Sequence, residues 1–154
     1  MTLDDARNIA TIVGVALGLL ALLKGFHEYV QQGKQKRAEH FIAMRRRFKE
    51  NPSFIELCDL LEDDDARLGE MPFKKKRDFL GFFEEIAIMC NSGLLRPEIA
   101  HYMFGYYVID CWRSEHFWKN VDRDANYLSL FKDLALQMMA IEGAFRFERT
   151  RYTL

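Results

Sequence analysis

Arg96 and His101 are the first pair of residues in this chain whose types and spacing could do chemistry. Four residues separate them, and an arginine and a histidine placed together could bind and protonate a scissile phosphate, as a ribonuclease does. Because the chain has thirteen Arg and four His, about one such pair is expected by chance. We therefore expect that the chain is not an enzyme, with ribonuclease activity through this pair as a third hypothesis.

The remaining reactive side chains indicate neither a metal site nor a nucleophile. His27, His40 and His116 share no metal-ligand spacing with one another or with a cysteine, and GxSxG, HExxH and glycine-rich phosphate-binding motifs are absent from the sequence. The three cysteines, at 58, 90 and 111, are an odd number and lie far apart in apolar stretches. This pattern is typical of small core residues in a reducing compartment. We expect no catalytic residue, no metal ion and no cofactor.

Charge is strongly segregated, although the net charge is only -1. Residues 24–49 contain eight Lys or Arg against two Glu, whereas residues 50–71 contain eight acidic residues against one Arg. Two basic clusters are candidates for a phosphate-binding site: Arg45, Arg46 and Arg47, and Lys74, Lys75, Lys76 and Arg77. Nearby aromatic residues could stack on nucleotide bases. A solvated face, attraction to anionic lipid, and pairing with the acidic surface of a second copy are the alternatives.

Two adjacent carboxylates, Glu84 and Glu85, fall in the middle of a predicted helix. Glu85 lies at the edge of its apolar face, where a buried carboxylate needs a partner. Arg113, His101 and Tyr107 are the candidate partners. The residues are consistent with an ion pair that fixes helix packing or with a catalytic acid.

The elements that position these residues are predicted to be helices. The chain is 49% hydrophobic, with only nine Gly and three Pro in 154 residues, too few for the many turns of a sandwich or barrel. Leu, Ala, Glu, Lys, Arg and Met, which favour helices, are abundant. We predict an all-α protein in which an N-terminal transmembrane or long apolar helix precedes a compact bundle of about five helices.

The N-terminal segment contains fifteen consecutive uncharged residues, from Ile9 to Leu23. A helix that begins near Thr2 carries this run over roughly 22 Å, and its extension to Val30 covers roughly 33 Å, about the thickness of a bilayer core. The alternatives are a helix buried in a soluble oligomer and a cleaved signal peptide, although the acidic start fits the latter poorly. We assign residues 1–30 to a membrane and oligomerisation helix and residues 31–154 to a helical domain.

Small residues form one stripe along this helix. They lie within about 40° of a common line at 100° per residue and are Ala10, Gly14, Gly18, Ala21 and Gly25. Such a stripe lets helix backbones approach closely in lipid. We predict a homo-oligomer and take a tetramer as its assumed stoichiometry. Because Lys and Arg follow the helix, the C-terminal domain is expected in the cytoplasm and the helix in a bacterial inner membrane.

Apolar residues at helical spacing predict the remaining elements. A face with Phe41, Met44 and Phe48 ends at Asn51-Pro52, Ser53 and Glu56 form a capping box, and residues 63–72 are an acidic loop. A core helix around Phe79–Cys90 follows, then a helix that begins at Pro97, a connector over residues 114–125 and a last helix over about 127–147.

The segment from Phe79 to Trp112 resembles a bacterial family of short proteins of unknown function. The matching residues include Glu84-Glu85-Ile86, Gly93-Leu94-Leu95, Pro97-Glu98, Phe104-Gly105-Tyr106-Tyr107 and Trp112. The resemblance covers about residues 9–118. It implies one N-terminal membrane helix joined to a helical cytoplasmic domain, and it implies no activity.

The layout is also similar to the membrane effectors of bacterial anti-phage systems of the two-gene Hailong type. In those systems a partner nucleotidyltransferase and its nucleic-acid signal control an oligomeric membrane protein. The resemblance implies a pore that depolarises the membrane, with an oligonucleotide product bound at the basic clusters. The alternative from a different functional class is a membrane-tethered scaffold that binds a partner without channel activity.

Overall fold

The computed structural model describes the backbone of residues 3–144 and, except at 16 and 34, the side chains of residues 14–144. Every regular element over 3–144 is helical, which confirms the all-α class. The chain separates into two compact units, Met1–His40 and Phe41–Leu154, here called the N-terminal unit and the C-terminal unit.

The helices follow one another closely along the chain. The α-helices are α1 (Leu3–Glu50), α2 (Pro52–Glu62), α3 (Phe73–Asn91), α4 (Pro97–Ala100), α5 (Tyr106–Arg113) and α6 (Ser129–Gly143). A π-helical turn, His101–Gly105, links α4 to α5 without a break, and 3₁₀ turns cover Ala66–Glu70 and Asn126–Leu128. Counting α4, the π turn and α5 as one run gives five helices over residues 3–144. The predicted last helix extends beyond residue 144, outside the described residues.

The start of α2 corrects one local prediction. The cap is Asn51, whose side-chain oxygen accepts a hydrogen bond from the Ser53 backbone N–H at 2.9 Å, and Pro52 is the first helical residue. Proline has no N–H to lose there and its φ already suits a helix. The capping box of Ser53 and Glu56 was therefore wrong, and the Glu56 carboxylate instead accepts a hydrogen bond from Lys75 at 2.8 Å.

The core of the C-terminal unit is built around aromatic rings. Phe48, on the last part of α1, has six ring centroids within 6.1 Å of its own, from α2, α3, the π turn and α5. On α3, the predicted inward residues Phe79, Phe82 and Phe83 are buried. The helical periodicity therefore gave the correct inner face of both helices.

Side-chain hydrogen bonds hold the connector between α5 and α6. Asp64, in the left-handed region with φ 45°, accepts from Ser114 Oγ at 2.5 Å. Lys76 Nζ donates to the Phe117 carbonyl at 2.7 Å, and Trp118 Nε1 donates to the carbonyl of residue 111 at 2.8 Å. The connector is therefore a fixed part of the C-terminal unit, although it contains no α-helix.

Candidate functional site

The N-terminal unit presents an apolar surface that nothing in the described chain covers. We call residues 14–30 of α1 the apolar segment. Its large side chains are between 39% and 75% exposed and comprise Val15, Leu17, Leu19, Leu20, Leu22, Leu23, Phe26, Tyr29 and Val30. Because consecutive residues of a helix point about 100° apart, these side chains occupy every side of the helix.

The small-residue stripe lies open along the same segment. A methyl group added at Gly14, Gly18 or Gly25 would meet no atom within 4 Å, and Ala21 is exposed. The side chain of Ala10 lies outside the described residues. The described part of the stripe is therefore accessible to a partner helix.

Among the residues that the structure describes, no helix carries a stretch that is both long enough and apolar enough to cross a bilayer. The side chains of residues 9–13, which begin the uncharged run, lie outside that description.

The structure separates the seven predicted basic residues by environment. Lys76 is 1% exposed, and its ammonium donates to the Phe117 carbonyl and lies 5.4 Å from the centre of the Phe117 ring. Burial lowers the pKa of this ammonium. Lys76 is therefore part of the core and is not available to an external phosphate.

Three other basic residues are held by carboxylates. Arg47 lies 2.6 Å from Glu85, Arg77 lies 2.6 Å from Glu84, and Lys75 pairs with Glu56. The prediction that Glu85 pairs with Arg113, His101 or Tyr107 was wrong, because α3 faces the end of α1 at this point. Arg113 instead lies 3.5 Å from Glu142.

Arg45, Arg46 and Lys74 remain exposed and form no ion pair with another described residue. Of these, Arg45 lines a groove of about 240 Å³ in the C-terminal unit, which we call the Arg45 groove. Its other lining residues are Phe48, Lys49, Tyr102, Met103, Phe104 and Tyr107. Two cations, one turn apart on α1, thus face two tyrosine rings. This combination suits a ligand with phosphates and an aromatic group.

The π-helical turn positions the tyrosines of the Arg45 groove. π turns are rare and are found frequently at functional sites. Here the turn carries Tyr102, which is 59% exposed, and leads directly to Tyr107. It also brings the His101 ring so close to Gly105 that an added methyl group would lie 2.6 Å from the ring. The sequence predicted neither the turn nor the presence of Lys49, Tyr102 and Tyr107 in one groove.

The predicted ribonuclease pair lies at the start of the same helical run. Arg96 precedes α4, and its Nε lies 3.7 Å from the Glu98 carboxylate. His101 begins the π turn, where burial lowers the pKa of its imidazole. A lowered pKa leaves less of the imidazolium that would protonate a phosphate leaving group at neutral pH.

A family model for a domain of unknown function (DUF4760) matches residues 8–138 of this chain. The chain belongs to the DUF4760 family. This confirms the predicted membership of a family of unknown function. No curated protein and no solved structure matches the chain. The matched range includes the apolar segment and all residues of the Arg45 groove, so both lie within the domain that defines the DUF4760 family.

Proposed function

We propose that this chain is an oligomeric membrane effector of bacterial anti-phage defence. In this proposal the apolar segment enters the inner membrane, its small-residue stripe joins the copies, and the oligomer forms or gates a pore that depolarises the cell. A nucleotide or nucleic-acid signal, made by a partner nucleotidyltransferase, binds the Arg45 groove. The observation that carries the proposal is the exposure of apolar side chains on every side of the segment.

Lipid explains this all-round exposure better than a single protein partner does. A helix that packs on a protein surface buries one stripe and keeps a polar face. Leu17, Leu19 and Leu20 point in three different directions, yet each is at least 57% exposed. A bilayer, or several copies of the chain, would cover all of them.

The charged flank supports the orientation. Lys24, in the C-terminal half of the segment, lies 3.8 Å from Glu28, and both can reach the headgroup region. Further basic residues follow along α1. Each Lys or Arg near an anionic membrane surface contributes about 1 kcal/mol. The C-terminal unit would accordingly lie on the cytoplasmic side.

The first test separates association from insertion. Replacing Gly14 and Gly18 by leucine is expected to abolish depolarisation and crosslinked oligomers, because bulky side chains keep the helix backbones apart. A Cβ added at either glycine would have no neighbour within 4 Å outside its own stretch of helix, and leucine makes the segment more apolar, so membrane binding should persist. The measurement is a potential-sensitive dye in bacteria that express the full chain, with crosslinking and membrane fractionation of the same cells.

The control changes apolar side chains on another side of the same helix and adds no bulk to the small-residue stripe. Val15→Leu with Leu19→Ile lies about 100° from the glycines and should retain both readouts. If the Gly14→Leu, Gly18→Leu variant depolarises cells as strongly as the wild type, the copies do not associate through this stripe. A membrane-bound wild-type chain that leaves the potential intact would contradict the pore.

The second test addresses the signal. Removing both cations of the Arg45 groove, by Arg45→Ala and Lys49→Ala, is expected to weaken binding of a fluorescent single-stranded oligonucleotide at least about tenfold, since two phosphate contacts are lost. Arg46→Ala with Lys74→Ala removes the same charge elsewhere and serves as the control. Fluorescence polarisation at two salt concentrations measures the loss. Equal weakening of oligonucleotide binding in both double variants would indicate general charge attraction. It would contradict the proposal that the oligonucleotide binds in the Arg45 groove.

A membrane-tethered scaffold without channel activity is the second candidate function. It is favoured by the apolar character of the segment, because between residues 14 and 23 the described side chains offer no polar group to line a water-filled pore. A scaffold would be membrane-bound and would leave the potential unchanged.

A further inference from the structure

A second groove, on the other side of α1, has no role in the proposed function. It has a volume of about 520 Å³ and lies between the end of α1, the start of α2 and α3. We call it the Arg47 groove. Arg45 and Arg47 point about 200° apart on α1, so the two grooves are separate.

The Arg47 groove carries both signs of charge on its rim. Its lining includes two cations, Arg47 and Arg77, and two anions, Asp78 and Glu85. The floor between them is apolar, because Phe54 is 4% and Phe82 1% exposed. A ligand with a single charge would meet repulsion from one pair as well as attraction from the other. A ligand that carries both charges complements the whole rim.

The arginine side chains of the groove are held in place, and each has more N–H donors than its ion pair uses. Arg47 stacks over the Phe82 ring with its guanidinium carbon 5.0 Å from the ring centre, and only one of its nitrogens is bonded to Glu85. Arg77 is held by its ion pair with Glu84, a side chain that is only 12% exposed. A guanidinium has five N–H donors, so each arginine can bind an anionic group while its carboxylate partner remains.

Asn51 supplies a third donor. Its side-chain oxygen accepts the hydrogen bond from Ser53 N that begins α2, which leaves the two amide N–H groups for a ligand. Arg47, Arg77 and Asn51 thus offer donors to an anionic group, and the carboxylates of Asp78 and Glu85 offer acceptors to a cationic one.

We infer that the Arg47 groove binds a zwitterion, a molecule that joins a phosphate or carboxylate to an ammonium group. Arg47 and Arg77 would bind the anionic group, and Asp78 would accept hydrogen bonds from the ammonium. The same chemistry occurs in free small molecules, such as amino acids, and in the headgroup of phosphatidylethanolamine. This site is independent of the Arg45 groove and of pore formation.

The test is calorimetric titration of the full chain in uncharged dodecyl maltoside micelles. O-phosphoethanolamine and L-phenylalanine carry both charges, whereas inorganic phosphate and ethanolamine carry one each. At least one zwitterion is expected to bind about tenfold more tightly than either single-charge probe. If phosphate alone binds as tightly, or if neither zwitterion binds at millimolar concentration, the inference is wrong.

Two variants make the test specific to this groove. Asp78→Asn leaves a net positive rim, so phosphate binding should increase and the tenfold advantage of the zwitterion should largely disappear; Asp59→Asn, on the exposed side of α2, is the control. Arg47→Gln should abolish binding of the zwitterion, whereas Arg46→Gln should not. Unchanged selectivity in Asp78→Asn contradicts the site.

A further titration distinguishes the two sources. If short-chain phosphatidylethanolamine binds more tightly than O-phosphoethanolamine, the ligand of the groove is a lipid headgroup. If it binds more weakly, the ligand is a free small molecule. The Arg45→Ala, Lys49→Ala variant should bind the zwitterion normally. An experiment that contradicts the pore or the oligonucleotide site would therefore leave the zwitterion site of the Arg47 groove untouched, and the reverse is also true.

Discussion

Replacing Phe48 by alanine is expected to lower the free energy of unfolding of the C-terminal unit by about 3–5 kcal/mol, the range for a buried phenylalanine. Phe48 is 5% exposed, and its ring lies 5.0 Å from that of Tyr107 and 5.1 Å from that of Phe82. The cavity would lie where α1 meets α2, α3, the π turn and α5, and rings fixed on four elements cannot collapse together to fill it. A loss of this size is a large fraction of a typical domain stability.

Urea unfolding of the full chain, followed by tryptophan fluorescence, measures this change. Trp112 and Trp118 pack against Phe131 in the same core, so their emission reports its loss. Phe73→Ala is the matched control, because Phe73 is 50% exposed and surface substitutions usually change stability by less than about 0.5 kcal/mol. Similar shifts in the two variants would show that Phe48 does not organise the core.

The position of Phe48 could be predicted from the sequence because periodicity encodes it. Phe41, Met44 and Phe48 share one helical face, and all three are buried. The same rule applied to the basic run would have found Lys76, since Lys76, Phe79 and Phe83 follow the i, i+3, i+7 pattern of a buried face. We predicted Lys76 as a phosphate ligand because it is one of four consecutive basic residues, but a helix turns about 100° at each residue, so consecutive residues do not share a face.

The ion-pair partners could not be predicted in this way. Arg47 and Glu85 are 38 residues apart, and periodicity gives the face of each helix but not the helix that it meets. The sequence therefore suggested partners for Glu85 from the following helices, while the actual partner lies on α1. Three residues that we predicted as ligand contacts, Arg47, Lys75 and Arg77, have carboxylate partners for the same reason.

Only part of the Arg45 groove could be predicted from the sequence. Arg45 stood out as part of a basic cluster, but Tyr102 and Tyr107 are five residues apart, a spacing that a regular α-helix does not align as neighbours. The π turn between them changes that alignment. No residue pattern in the sequence signals such a turn, because it depends on how the surrounding helices pack.

Placing two lysines in the apolar segment, by Leu17→Lys and Leu20→Lys, is expected to reduce membrane binding by three or more orders of magnitude. A lysine near the centre of a membrane helix costs about 2.5–3.5 kcal/mol, and two such residues approach the whole binding energy of a short apolar run. Both leucines are more than 60% exposed, so the fold of the chain itself loses no packing. Flotation of the full chain with anionic liposomes measures the bound fraction.

The matched control introduces the same two charges on apolar surface that is not expected to enter the bilayer. Ile88 and Leu136 are 54% and 48% exposed on α3 and α6, and lysine at both positions should leave flotation unchanged. If the variant with lysines at 17 and 20 floats as well as the wild type, the apolar segment does not insert. If the wild-type chain remains unbound but forms a large soluble oligomer, copies of the chain rather than lipid cover the segment. That outcome would contradict the membrane effector and the tethered scaffold together, because both depend on the same exposed leucines.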